Sequence, residues 1–163
     1  MFEIKRLFES KILDYVEILK ERYLWLIDKE IKMWEYKNVE LNGLYRRYEN
    51  PSFFGAYEND NCVGGFILLE IDDHYWPNNM RDKAYYVHKF VVGPKYGGMG
   101  YSDKMLEWIN NYGKQNNKGY LRLDYNKNIE YLRKMYIRNG YKEIREITNR
   151  ENIKMILAEI RLD

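Results

Sequence analysis

Three glycines within one short stretch, Gly97, Gly98 and Gly100, separate an apolar run over residues 85–92 from a segment in which Tyr101, Met105, Trp108, Ile109 and Tyr112 recur at the spacing of one helix face. The apolar run is rich in β-branched and aromatic side chains, which predicts a strand. Strand, glycine loop and helix start, in that order, place bare main-chain amides at the positive end of a helix dipole. The chemistry on offer is anion binding, with phosphate the natural ligand. The same glycines would also serve a plain turn between two elements. A nucleotide-hydrolysing P-loop is excluded, because Gly100 is followed by Tyr101 and Ser102 where that loop needs lysine and then a hydroxyl. A dinucleotide fingerprint fails as well: Gly98 and Gly100 form its first pair, but Asp103 stands where its third glycine belongs.

These residues need a frame, and the rest of the 163-residue chain supplies one. Residues 2–7 alternate apolar and polar as a first strand does, and Ser10 is placed to cap a long helix whose inner face is Ile12, Val16, Leu19, Tyr23 and Leu26. Residues 32–36 break that pattern and carry Trp34, after which residues 39–48 predict a shorter helix closed before Pro51. Strands at 53–57 and 62–71 flank Glu58-Asn59-Asp60-Asn61, a hairpin turn. Residues 72–83 are polar, contain Pro77 and paired asparagines, and read as a surface loop. After the glycine loop and its helix come a strand at 120–125, a helix at 129–138 stopped by Asn139-Gly140, and a closing hairpin at 141–148 and 153–160. The predicted fold is α/β (α+β in some schemes). It is one domain over residues 1–163, with a mixed, mostly antiparallel sheet of six to seven strands, a central parallel strand-helix-strand unit and about four helices on both faces.

Composition narrows the function classes. Hydrophobic residues at 45% and charged residues at 32% suit a globular domain. A net charge of +2, from 27 basic and 25 acidic residues, is too balanced for a polyanion partner, so no nucleic acid is expected. No apolar run of about 18 residues occurs and the N-terminus has no apolar signal core, so no membrane span and a cytoplasmic location are expected. Cys62, the single cysteine, cannot close an internal disulfide and reads as a buried thiol.

The run from Phe90 through Val92, Gly93-Pro94-Lys95-Tyr96-Gly97-Gly98-Met99-Gly100 and Tyr101-Ser102, with Met105-Leu106 behind it, resembles the central motif of the GNAT N-acetyltransferases. In that family a hydrophobic strand leads into Arg/Gln-x-x-Gly-x-Gly/Ala, and loop amides hold the pyrophosphate of acetyl-CoA. Anchored on Val92, Pro94 and Met105-Leu106, the family's Arg/Gln falls at Gly97, its first glycine at Gly100 and its Gly/Ala at Ser102. Gly97 lacks the side chain that helps to grip phosphate, while Ser102 is small enough to keep the approach close. Residues 121–124, 132–136 and Asn139-Gly140-Tyr141 are similar to the family's next strand, next helix and the pair that opens the following strand. Trp34 and the Trp76-Pro77 pair are similar to features of one bacterial branch.

The resemblance implies an acetyl-CoA cosubstrate, no metal, and a primary amine of a small molecule or peptide as acceptor. It places the pyrophosphate on Gly97, Gly98, Met99, Gly100, Tyr101, Ser102 and Asp103, and the pantetheine beside Phe90, Val91 and Val92. Tyr136 matches the family's tyrosine and is the implied general acid for the leaving thiolate. The family's pantetheine-touching asparagine position is Ile129 here, with Asn128 as its substitute. Asp124, His88 and Glu70 are the candidates to take a proton from the amine; each also reads as a packed, capping or solvent-facing residue, and water alone would leave no signature. Trp34 and Trp76 are expected to wall the acceptor pocket or to plug the core. Two further readings are a CoA- or acyl-CoA-binding module without turnover and a nucleotide-phosphate or RNA-associated domain. The C-terminal strands could pair across a homodimer.

Overall fold

The structure, a computed structural model, describes residues 1–76 and 83–163. Pro77 and the paired asparagines of the predicted loop lie outside the described residues. The elements run β1 (Phe2–Leu7), α1 (Ile12–Asp28), α2 (Leu41–Arg47), β2 (Ser52–Glu58), β3 (Asn61–Leu69), β4 (Ala84–Val92), α3 (Tyr101–Gln115), β5 (Tyr120–Asn126), α4 (Glu130–Arg138), β6 (Lys142–Thr148) and β7 (Lys154–Arg161). The strands form a seven-stranded sheet in the order β1-β2-β3-β4-β5-β7-β6. Antiparallel ladders join β1 to β2, β2 to β3, β5 to β7 and β6 to β7, and a parallel ladder joins β4 to β5. This is the mixed, mostly antiparallel α/β fold that the sequence predicts. No helix among the described residues is long and apolar enough to cross a membrane.

By internal contacts the chain divides into two compact units, residues 1–69 with 88–105 and residues 70–87 with 106–163. In the first, the predicted inner face of α1 is buried at Ile12, Val16, Leu19 and Leu26, joined by Tyr15 and Ile18. The β2–β3 turn puts Asn59 and Asp60 at φ 49° and 70°, the left-handed pair that a two-residue hairpin of matching twist requires. Phe54, Phe66 and Phe90 stack across β2, β3 and β4 with ring centroids 5.0 Å and 6.4 Å apart. Two glycines set how closely β3 is approached. A Cβ on Gly64 would lie 2.4 Å from the Val91 carbonyl oxygen, and one on Gly65 would lie 2.3 Å from the Tyr15 ring. Gly64→Ala is therefore expected to cost about 1–3 kcal/mol, measured by denaturant unfolding, because the backbone of β4 must yield; an unchanged midpoint would contradict it.

Three local expectations need correction. Ser10 does not cap α1: a 3-10 turn over Glu9–Lys11 runs straight into the helix, and its carbonyls serve amides that a serine cap would have served, with Lys11 N–H bonded to the Phe8 carbonyl at 3.1 Å. The second helix is shorter than predicted, since Glu40 is extended and separates a 3-10 turn over Tyr36–Val39 from α2. The 72–83 segment is not simply a surface loop, because Asp72 and Trp76 are buried.

In the second unit, Leu121 and Leu123 of β5 are buried, and Tyr125, Tyr136 and Tyr141 form an aromatic chain with centroid spacings of 5.2 Å and 5.7 Å. Gly140, at φ 94°, ends α4 as expected. Trp76 packs edge-on to Tyr86 at 5.8 Å and under the Arg122 guanidinium at 5.0 Å, which is why a tryptophan from a polar segment goes inside.

Candidate active site

The glycine loop has the geometry that an anion needs. From Val92 the chain passes through Gly93, whose N–H donates to the Val63 carbonyl at 2.8 Å, and a 3-10 turn over Pro94–Tyr96. Gly98 and Gly100 then take φ of 75° and 81°, a conformation that favours glycine. A Cβ at either position would meet nothing within 4 Å, so the space above both is open. The Lys104 N–H closes the first turn of α3 onto the Gly100 carbonyl at 3.2 Å. The amides of Tyr101, Ser102 and Asp103 lie ahead of that bond, where a helix has no carbonyl of its own to offer. The Tyr101 ring is buried against Phe2 at 5.7 Å and Tyr96 at 6.2 Å, so only its main chain is available to a ligand. Met99 is exposed at the loop tip, and Gly97 is exposed with no side chain to contribute. Positive φ at Gly98 and Gly100, open space above them and a helix start behind them fit a diphosphate.

The strand that feeds the loop carries a second feature. Val91 is buried and Phe90 and Val92 are partly buried, but Lys89 sits at φ 47° in the middle of β4. A lysine in the left-handed region costs about 1 kcal/mol or more. Four contacts hold it there. The Tyr15 hydroxyl donates to the Lys89 carbonyl at 2.8 Å, and the Lys89 ammonium donates to the Tyr48 hydroxyl at 3.0 Å. That ammonium also lies 5.8 Å from the Trp34 ring centroid and 5.5 Å from that of Tyr48. His88 packs its imidazole on the Tyr48 ring at 4.8 Å. Burial pushes the Tyr48 hydroxyl up, but the Lys89 ammonium, His88 and Arg47 outweigh it, so it ionises below the ordinary tyrosine range. Of the sequence candidates, Trp34 and His88 are thus brought together here, around Tyr48 and Lys89, which the sequence reading missed. The available signal was a lysine and a histidine inside an otherwise apolar strand. Arg22 was missed too: its Nε and Nη2 donate to the Val92 carbonyl at 3.1 Å and 2.8 Å, just before the loop, yet in sequence it reads as a solvent-facing helix cation.

The remaining candidates belong to the second unit. Tyr136 is buried in the aromatic chain, and burial, then Tyr141 and Asp124, push its hydroxyl well up, so it stays protonated. Asp124 lies within β5, which continues to Asn126, and one of its carboxylate oxygens lies within 4.8 Å of one from buried Asp72. Glu70 is exposed and accepts from the Lys118 ammonium at 2.7 Å. Trp76 is buried with its Nε1 lacking a hydrogen-bond partner among the described residues. Asn128 is exposed in the turn before α4, its N–H donating to the Asn126 side chain at 2.9 Å.

Comparison with known proteins follows the same lines. A profile of the acetyltransferase (GNAT) family matches residues 13–141. The uncharacterized N-acetyltransferase YesJ of Bacillus subtilis (strain 168) is 23% identical over 124 residues, covering 72% of this chain and 68% of that protein. Among solved structures, a GNAT-family acetyltransferase from Listeria monocytogenes 4b F2365 superposes with a TM-score of 0.78 at 18% identity, over 99% of this chain and 95% of that one. The ribosomal-protein-S18-alanine N-acetyltransferase from Escherichia coli superposes with a TM-score of 0.71 at 13% identity, over 100% of this chain and 95% of that one.

Proposed function

This chain belongs to the acetyltransferase (GNAT) family, and we propose that it transfers the acetyl group of acetyl-CoA to a primary amine, on a small molecule or an exposed amino terminus or side chain, by direct attack. The observation that carries this reading is the pair Gly98 and Gly100, left-handed and open to solvent ahead of the α3 amides. Residues 97–103 would hold the diphosphate, and main-chain groups of Phe90, Val91 and Val92 would line the pantetheine, with Asn128 a further contact. Main-chain donors of the strand can stabilise the oxyanion that forms on attack. Tyr136 is the proposed acid for the leaving thiolate; its raised ionisation keeps it a proton donor. Asp124 and His88 are kept as proton-accepting candidates, and Trp34 and Trp76 as walls of the acceptor pocket. Glu70, held by Lys118, is the least suited of the acceptor-side candidates. Gly97 favours one second reading, a CoA-binding module without turnover, because it removes the phosphate-gripping side chain.

Retention on immobilised CoA tests the binding half, and release of free thiol from acetyl-CoA across a panel of primary amines tests the transfer. Tyr136→Phe keeps the ring stack with Tyr125 and removes the proton, so thiol release should fall roughly 100-fold with retention on CoA unchanged. Equal release by both proteins would remove Tyr136 from the chemistry; retention without release from any amine would favour the binding module.

A further inference from the structure

The cluster on β4 asks for an explanation that packing does not give. Lys89 spends its ammonium on a phenol and two aromatic faces; no carboxylate among the described residues pairs with it. Tyr48 is 7% exposed, at the end of α2, and the groups around its ring are basic: Lys89 and His88 from β4 and Arg47 beside it, whose guanidinium is 5.7 Å from the ring centroid. Tyr15 of α1 also faces it, but that hydroxyl is spent on the Lys89 carbonyl and burial pushes it well up. A buried phenol held at 3.0 Å by an ammonium, with an imidazole and a guanidinium against its ring, gives up its proton more readily than an ordinary tyrosine. Its partners His88 and Lys89 directly precede Phe90 on β4, the strand proposed to carry the pantetheine.

We infer that Tyr48, held by Lys89, is the catalytic residue that takes the proton from the incoming ammonium; this rests on the acetyl-transfer reading above. The Tyr48 phenolate removes one proton from R–NH3+, giving R–NH2 and the phenol. The nitrogen lone pair forms the C–N bond to the acetyl carbonyl carbon, and the C–S bond breaks with its electron pair on sulfur. The sulfur is protonated by the general acid, which recovers the second nitrogen proton, and Tyr48 releases its own proton to water. Lys89 is a positioning residue here: it sets the phenol's ionisation and touches no reacting atom.

Three measurements on the full chain test this. Ultraviolet absorbance during an alkaline titration should show one tyrosine ionising ahead of the rest of the 17, absent in Tyr48→Phe and moved to higher pH in Lys89→Gln. Thiol release from acetyl-CoA with the amine panel should rise with pH along that same ionisation, fall roughly 100-fold in Tyr48→Phe, and shift its rising limb upward in Lys89→Gln. Acetyl-CoA affinity by calorimetry should stay the same in both variants. Should wild type fail to bind acetyl-CoA, the acetyl-transfer reading falls. With acetyl-CoA bound, a wild-type rate and pH profile in Tyr48→Phe overturns Tyr48 alone. Absence of the early-ionising tyrosine overturns it whether or not acetyl-CoA binds, and this spectroscopic arm stands even if a variant is catalytically dead.

Discussion

Arg122→Ala is expected to lower the stability by about 3–5 kcal/mol, the cost of breaking a buried ion pair from one side. Arg122 stands in the middle of β5 and is 1% exposed. Its Nε donates to Glu159 Oε1 at 3.0 Å, directly across the β5–β7 ladder, and its Nη1 donates to the Tyr86 hydroxyl at 3.2 Å, directly across the β4–β5 ladder. The guanidinium lies 5.0 Å from the Trp76 ring centroid and 4.7 Å from that of Tyr120. Alanine would leave a carboxylate without its cation and a void between aromatic rings, so the electrostatic and cavity costs add. For a chain of this size that corresponds to a melting-temperature drop of roughly 10 °C. Arg122→Met, which keeps the volume, should lose distinctly less. Equal losses in the two variants would make the ion pair and not the void the cause, and a loss below about 1 kcal/mol for alanine would remove Arg122 from the stabilising framework.

The contrast between what could and could not be read along the chain has a common origin. The Glu58–Asn61 turn, the periodic face of α1 and the stop at Asn139-Gly140 depend on residues a few positions apart, and all three stand where the sequence puts them. The glycine loop was legible for the same reason. Arg122 was not, because its partner Glu159 is 37 residues away and meets it only through the strand register. Trp76 was read within a polar neighbourhood, although its environment is set by Tyr86 and Arg122. Lys89 shows a different blind spot: a strand's alternation has no symbol for a residue at positive φ, so neither the kink nor the Tyr48 contact could be anticipated. Tyr48 itself looked like the last apolar position of a helix. The helix stops at Arg47, and Tyr48 leaves it in an extended conformation.

The double variant Gly98→Val with Gly100→Val should lose roughly a thousandfold in acetyl-CoA affinity while remaining folded. The two halves of that statement have separate causes. A Cβ at either position meets nothing within 4 Å, so the cost to the folded state is mainly the strain of a branched residue at positive φ, about 1–2 kcal/mol at each position. Gly64 is the opposite case, since its missing Cβ is replaced by β4 backbone and not by open space. What the valines would occupy is the room above the α3 amides, and relaxing their φ would turn those amides away. Two charge-assisted hydrogen bonds to a diphosphate, at about 1.5–3 kcal/mol each, account for a loss of that size. Calorimetric titration with acetyl-CoA measures the affinity and far-ultraviolet circular dichroism the fold; Gly98→Ala, with a smaller intrusion, should fall between wild type and the double variant. Wild-type affinity in a folded double variant would mean that the diphosphate lies elsewhere. The proposal for this loop would then fail even though the chain's family would stand.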